Sequence, residues 1–353
     1  MRIAQVAPLY ESVPPKYYGG TERVVSYLTE MLVKLGHEVT LYASGDSITR
    51  ATLRPGCKCA LRLDKTSVDP IANHVYLAEQ VFQEAEEYDV VHSHMDYLGF
   101  PLFRRMKTPH LSTMHGRMDI PNLQHLFREF SEEPLISISN HQRLALSSAN
   151  WRATVYHGLP ERLYGFHGQP GKYLAFLGRV SPEKRLDKAI EIARHAGMPL
   201  KIAAKVDKVE KDYFETKIKP LLDQKDIEYI GEIGEKEKGD FLGNAFALLF
   251  PIDWPEPFGL VMIEAMACGT PVIAYKRGSV PEIVEHAKSG FVVESVEEAV
   301  KAVAAVPRLS RRECRAVFEE RFTTKRMASD YVAQYEQLIS VGPVPELTAD
   351  ATP

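Results

Sequence analysis

The sequence predicts an α/β protein of two parallel-sheet domains, and three observations predict it. An apolar run at 245–251, short enough for a buried strand, leads through a loop into an apolar helix at 261–268 that Gly269-Thr-Pro271 closes. The chain opens with a similar order of strand, loop, helix and strand, which makes a parallel βαβ unit. Finally, 353 residues are enough for two cores, and a stretch with four Gly and two Pro in fifteen residues (157–171) precedes a fresh strand.

The opening unit reads as a strand at Arg2–Pro8, a loop ending in Gly19-Gly20, a helix from an N-cap at Thr21, and a second strand at His37–Ala43. Apolar residues at 24, 25, 28, 31, 32 and 35 give that helix its stripe, and Gly36 stops it. A Gly-Gly pair before a helix suits a phosphate, or is only a flexible turn. The dehydrogenase fingerprint G-x-G-x-x-G is absent here.

A helix at 71–87 and a strand at Tyr88–His94 follow. His92 and His94 share one face of that strand, but no third ligand has metal spacing, so both read as loop and cleft-lining histidines. His110–Gly116 is a further strand, and it carries His115 out at its carboxyl end. Strands at Pro134–Ser139 and Ala153–Tyr156 complete the first domain.

The second domain restarts at Lys172–Arg179 and runs into a strand-to-helix loop, Gly178-Arg-Val-Ser-Pro-Glu-Lys184. Arg179 offers a planar fork and Lys184 a point charge, so the two could meet one diphosphate from two sides; the alternative is a pair of solvated surface cations. Strands at Leu200–Ala204, Ile227–Ile233, Val272–Gly278 and Gly290–Val293 continue the alternation.

Within the stretch from Glu256 to Glu264, the second carboxylate sits inside a core helix and therefore needs a hydrogen-bonding partner. Leu260 and Glu264 are four apart and share a face. The helix start at Phe258-Gly259-Leu260 presents free backbone N–H groups and the positive dipole end, and Gly259 lets a ligand approach closely. Eight helical residues span about 12 Å. That length matches a nucleotide sugar with its sugar near Glu256, its diphosphate at the helix start and its ribose at Glu264. The bland alternative makes Glu264 a cap on a neighbouring backbone and Glu256 a loop charge.

The same stretch, with Gly269-Thr-Pro-Val-Ile-Ala274, resembles the E-x7-E region of family 4 retaining glycosyltransferases. The segment from Gly178 to Lys184 resembles that family's G-R-x-x-x-x-K-G, with Arg185 in place of the last Gly. A further departure is Lys205-Val-Asp-Lys-Val, where the family has a Gly-rich turn. The resemblance covers roughly residues 1–335. It implies the GT-B fold, two Rossmann-like domains with parallel sheets facing a central cleft. The first, 1–160, lies on the acceptor side. The second, 161–325, takes the donor. The resemblance also sends a C-terminal helix at about 325–340 back onto the first domain. The tail at 341–353, with three Pro, reads as disordered.

By position, Gly19, Gly20 and Thr21 would face the donor diphosphate and His115 would lie beside the donor sugar. The implied catalytic set is His115, Arg179, Lys184 and Glu256. The implied donor contacts are Gly19, Gly20, Arg179, Lys184, Ile233 at the exit toward the base, Glu256, Phe258, Gly259, Leu260 and Glu264. UDP-glucose or a close relative is the expected donor, on family grounds alone. The acceptor would be a saccharide or a lipid-linked molecule in polysaccharide or glycoconjugate synthesis, met by loops at 9–20, 44–60 and 117–125; exopolysaccharide, lipopolysaccharide and small-molecule glycosides all stay open as products. No metal or other cofactor is expected, and the sequence holds no D-x-D triplet. The rival readings are a hydrolase or epimerase on the same architecture and a two-lobed sugar-binding protein without chemistry.

Bulk properties fit an ordinary globular enzyme, with 25% charged and 45% hydrophobic residues. A net charge of −4 gives no reason to expect nucleic acid. The cluster Arg104-Arg105-Met-Lys107 leaves room for peripheral contact with a membrane or an anionic acceptor. Cys57 and Cys59 lack zinc-spaced partners and read as plain thiols. Together with an opening run too short for a signal peptide and no stretch of membrane-span length, this points to the cytoplasm or the inner face of its membrane.

Overall fold

The structure, a computed structural model, describes residues 1–16, 19–223 and 226–341. It divides into two compact units. Unit 1 comprises Met1–Ile138, Arg143–Val155 and the chain from Thr324; unit 2 comprises Ser139–Gln142 and Tyr156–Thr323.

Unit 1 is built on a seven-stranded parallel sheet of β1 (Arg2–Val6), β2 (Glu38–Ser44), β3 (Thr52–Cys57), β4 (Val90–Ser93), β5 (His110–Thr113), β6 (Leu135–Ser137) and β7 (Trp151–Thr154). Their order is β3-β2-β1-β4-β5-β6-β7. β1 lies inside the sheet, which is why its run from Ile3 to Val6 is apolar apart from Gln5 and wholly buried. Ala4, Val6, Tyr42, Leu77, Val81, Val91 and Phe103 form one of its core clusters.

The Gly20–Lys34 helix buries Val24, Val25, Leu28 and Leu32 of its predicted stripe; Met31 is only half-buried, and Leu35, the C-cap, is 43% exposed because it lies past the packed turn. Its N-cap is Gly19, not Thr21, and Gly20 is its first residue. Gly19 is small for a steric reason: a Cβ there would stand 2.8 Å from Pro15 Cβ. Of the span 44–60, expected to be loop, Thr52–Cys57 is a strand. It lies at the sheet edge, where Pro55 and Gly56 are tolerated.

The Thr324–Val341 helix belongs to unit 1 and packs on the Gly20–Lys34 helix. Of the tail expected to be disordered, residues 342–353 lie outside those described.

Unit 2 carries a six-stranded parallel sheet of β8 (Leu174–Arg179), β9 (Leu200–Lys205), β10 (Ile227–Gly231), β11 (Ala247–Phe250), β12 (Val272–Tyr275) and β13 (Gly290–Val293), in the order β10-β9-β8-β11-β12-β13. Leu174, Phe176, Ile190, Leu200, Ile202, Leu249, Ile273 and Val303 fill the core between sheet and helices. β10 stops at Gly231, whose φ of 80° turns the chain out of the strand. Ile233 therefore sits past the strand that the sequence reading extended to it, in the connection to the Glu235–Gly243 helix.

The stretch at 157–171, read as a linker, is laid along unit 2. Arg311 donates to His167 O, and Arg315 to the carbonyls of Glu161 and Tyr164. Leu159 bridges to Thr323. The short segment Ser139–Gln142 joins the same unit because Glu282 accepts from the backbone N–H groups of Asn140 and His141, each at 2.7 Å. Among the described residues, no helix is long and apolar enough to cross a membrane.

Candidate functional site

In each unit the sheet order reverses direction once, between β8 and β11 in unit 2 and between β1 and β4 in unit 1. Loops leaving the carboxyl ends of such a pair diverge and open a crevice for ligands. Gly19 and Gly20 follow β1, Arg179 ends β8 with Lys184 after it, and Glu256 to Gly259 follow β11; His115 follows β5 and Ile233 follows β10.

In unit 2, the loop after β8 carries Arg179 and Lys184, and the loop after β11 carries Glu256. Lys184 Nζ donates to Glu256 Oε2 at 2.5 Å, and Trp254 Nε1 donates to the same oxygen at 2.8 Å. The Lys184 ammonium also lies over the rings of Phe250 and Trp254, 5.4 and 5.2 Å from their centroids. A lysine among aromatic faces, with one carboxylate, is a desolvated cation suited to an anionic ligand. Arg179, at the end of β8, makes longer pairs with Asp207 (3.4 Å) and Glu183 (3.5 Å).

Two further contacts zip the loops together. Asp253 N donates to Glu183 O at 2.8 Å, and Arg185 bridges Asp187 and Asp253. Arg185 has φ 52° and ψ 49°, the left-handed region that favours glycine. The departure from the resembling motif is thus a costly backbone held in place by a guanidinium with two carboxylate partners.

Glu256 is supported from behind. Gly278 has φ 55°, and a Cβ there would lie 2.3 Å from Glu256 N, so only glycine fits. Ser279 N donates to Glu256 O, and Ser279 Oγ to Phe258 O. Gly259, at φ 79° and ψ 67°, caps the Leu260–Ala267 helix and swings the chain into it. Gly259, Leu260 and Val261, at the start of that helix, are partly exposed, and the first-turn N–H groups have no partner within the helix itself. Phe258 is buried against His157 and Phe322. It shapes the loop from within.

Glu264 is 3% exposed. Its partner is Lys238 of the Glu235–Gly243 helix, at 2.8 Å from Oε1. A buried carboxylate needed a partner, and the sequence did not say which. Lys238 has no motif around it; nor do Trp254 and Asp253, apart from their nearness to Glu256.

In unit 1, Gly19 and Gly20 open the Gly20–Lys34 helix, with Glu22 buried in its first turn. Burial, reinforced by Glu11 nearby, pushes the Glu22 carboxyl up to about 7. His115 follows β5, half-buried, with His94 Nδ1 2.9 Å from its Nε2. Burial lowers its pKa to about 3, and burial also holds His92 well below its ordinary 6.5. His92 and His94 do share a face, with ring centroids 4.0 Å apart, but they are buried in the unit rather than lining an opening. Among the described residues no group of three His, Cys, Asp or Glu side chains is arranged to hold a metal ion. All four cysteines are free thiols.

Comparison with known proteins follows the same division. Residues 18–180 match the family described as Glycosyltransferase Family 4, and residues 166–321 match Glycosyl transferases group 1. An uncharacterised glycosyltransferase of Methanocaldococcus jannaschii is 24% identical over 344 residues, 83% of this chain and 85% of that protein. A crystal structure of a glycosyltransferase involved in avilamycin A biosynthesis is 26% identical, with a TM-score of 0.72 over 96% of this chain and 98% of that one. An Anabaena protein solved with UDP and glucose is 19% identical, with a TM-score of 0.73 over 96% of this chain and all of that one. It shares the GT-B fold.

Proposed function

The chain belongs to the family 4 glycosyltransferases, and from that premise we propose that it is a retaining hexosyltransferase whose donor is a UDP-sugar, UDP-glucose or a close relative. The observation that carries this reading is the arrangement around the Leu260–Ala267 helix. A Lys–Glu pair sits before its first turn and a second Lys–Glu pair reaches into it, with the helix start between them. One end suits sugar hydroxyls, the middle a diphosphate and the far end a ribose. The Anabaena neighbour, solved with UDP and glucose, supports the choice of donor.

In this reading the bond from C1 to the phosphate oxygen breaks, and the acceptor oxygen attacks C1 from the same side. The acceptor proton passes to the departing phosphate oxygen, so no separate base is needed. Arg179, Lys184 and the helix start hold the charge that grows on the diphosphate. Glu256 binds sugar hydroxyls and His115 steadies the sugar. Glu264 takes the ribose. With those cations in place, divalent ions are dispensable. The acceptor is a saccharide or a lipid-linked molecule in polysaccharide or glycoconjugate synthesis.

Proton NMR of the first-formed product tests the proposal. An α-linked product from an α-linked UDP-sugar, formed equally well in EDTA, is expected. A β coupling would overturn retention, and loss of activity in chelator would overturn metal independence. Release of free sugar at the same rate with and without acceptors would favour a hydrolase.

A further inference from the structure

Unit 1 holds a chain of buried polar groups that the proposed reaction does not use, and it ends on His115. At its centre is Gln5, an amide at 0% exposure in β1 beside the point where the sheet order reverses. Gln5 Oε1 is 2.9 Å from His94 Nε2, and His94 Nδ1 is 2.9 Å from His115 Nε2. On the other side, Gln5 Nε2 is 3.0 Å from the Tyr335 hydroxyl, which is 2.7 Å from His92 Nδ1. His92 Nε2 is 2.7 Å from Thr113 Oγ1, itself 3.0 Å from the Tyr331 hydroxyl. Tyr331 and Tyr335 are four apart on the Thr324–Val341 helix and stack on each other, so the last helix of unit 1 reaches its first strand through this network.

We propose that Gln5 is a positioning residue: the orientation of its amide decides which nitrogen of His115 carries the proton. A carbonyl oxygen can only accept, so His94 donates from Nε2. A charged ring in so dry a place is costly, so His94 holds one proton and its Nδ1 accepts. His115 must then donate from Nε2, which leaves Nδ1 as its acceptor. The second branch agrees. The Gln5 NH2 donates to Tyr335, Tyr335 donates to His92 Nδ1, and His92 Nε2 donates to Thr113. Burial keeps both tyrosine hydroxyls protonated and His92 neutral, as this pattern requires. Turning the amide over would reverse every donor from Thr113 to His115. The network therefore has two discrete settings, and the observed amide selects one.

For catalysis the inference rests on the donor reading given above. A His115 in this setting takes a hydrogen bond from a sugar hydroxyl at Nδ1 and cannot give one there.

The test is imidazole ¹⁵N NMR of the full chain with labelled histidine, run beside UDP-glucose turnover. Wild type should show His115 as the Nε2–H tautomer. Gln5→Leu should give a mixed or reversed pattern. Tyr335→Phe, which removes one oxygen and fills the same space, should shift the pattern the same way from the far helix. In both variants kcat/KM for UDP-glucose should fall with the fraction of molecules in the wrong tautomer, roughly two- to tenfold. An Nδ1–H tautomer in wild type would overturn the proposal, and so would a His115 signal that neither variant moves. A wild-type protein with the expected tautomer and no sugar transfer would count against the donor reading and not against Gln5.

Discussion

Lys184 Nζ stands 2.5 Å from Glu256 Oε2, so the cation assigned to the donor diphosphate and the carboxylate assigned to its sugar neutralise each other when no donor is present. A diphosphate must compete with that carboxylate for the ammonium. Glu256→Gln removes the competing charge and most of the sugar contact together. UDP alone should bind Glu256→Gln as tightly as wild type or up to about tenfold more tightly, a change of about 1.4 kcal/mol. Transfer from UDP-glucose should fall on the order of 10²-fold. Calorimetry and initial rates separate the two effects. A parallel loss of UDP affinity and turnover would show that Glu256 acts on the nucleotide itself.

Glu264 and Lys238 form the deeper pair, with side chains 4% and 16% exposed. Removing one partner of a buried pair leaves a charge uncompensated, which costs about 3–5 kcal/mol. Lys238→Met should therefore lower the urea midpoint sharply, and Lys238→Met with Glu264→Gln should recover much of the loss. Glu264→Gln alone weakens charge-assisted bonds to a ribose, so UDP affinity should fall roughly ten- to a hundredfold. Calorimetry showing unchanged UDP binding would remove Glu264 from the site.

Arg185 sets a backbone cost against side-chain contacts. Its left-handed conformation costs about 1–2 kcal/mol for an L-residue. Its bonds to Asp187 and Asp253 are partly exposed, worth about 0.2–1 kcal/mol each. Arg185→Gly relieves the first and loses the second, so its stability should stay within about 1 kcal/mol of wild type. Arg185→Ala keeps the strain and loses the contacts, and should be the less stable of the two by about 1 kcal/mol. Denaturant midpoints for the pair decide it; equal stability would mean that the loop relaxes out of the left-handed region.

The unit 2 loops were legible in the sequence because their chemistry is local. Gly259 needs its φ, Lys184 and Glu256 sit in recognisable strings, and the apolar helix around Glu264 announces a buried charge. The partners were not legible. Lys238 meets Glu264 across 26 positions, and nothing near either residue encodes that distance. Gln5 looks like a single polar break in a buried strand, and its partner Tyr335 lies 330 positions away. β3 was missed for a different reason. Its Pro55 and Gly56 argue against a strand, and only its edge position makes them tolerable. Helix and strand periodicity report which face is buried. They are silent on which buried polar groups meet.

The last prediction concerns pH. Glu22 is buried in the first turn of its helix, with Glu11 raising its pKa further and Arg62 partly offsetting it, so its carboxyl titrates near 7 rather than at its ordinary 4.5. A raised folded-state pKa contributes stability that is present below 4.5 and lost as the pH climbs through 7. His92 has the opposite sign: burial drives its pKa well below 6.5, so its contribution is intact above 6.5 and is lost as the pH falls. Glu22→Gln removes only the first effect, and it keeps the shape of the side chain. The variant should match wild type near pH 4.5, gain on it steadily from there to pH 7, and be more stable at pH 8 by on the order of 3 kcal/mol. Below pH 6.5 the variant should show the His92 loss unopposed, whereas in wild type the protonation of Glu22 offsets it over the same range. Urea midpoints from pH 4.5 to 8 measure the difference directly. A constant gap between the two curves would mean that Glu22 is ionised throughout and that the pair Glu11–Arg62 has more than offset its burial.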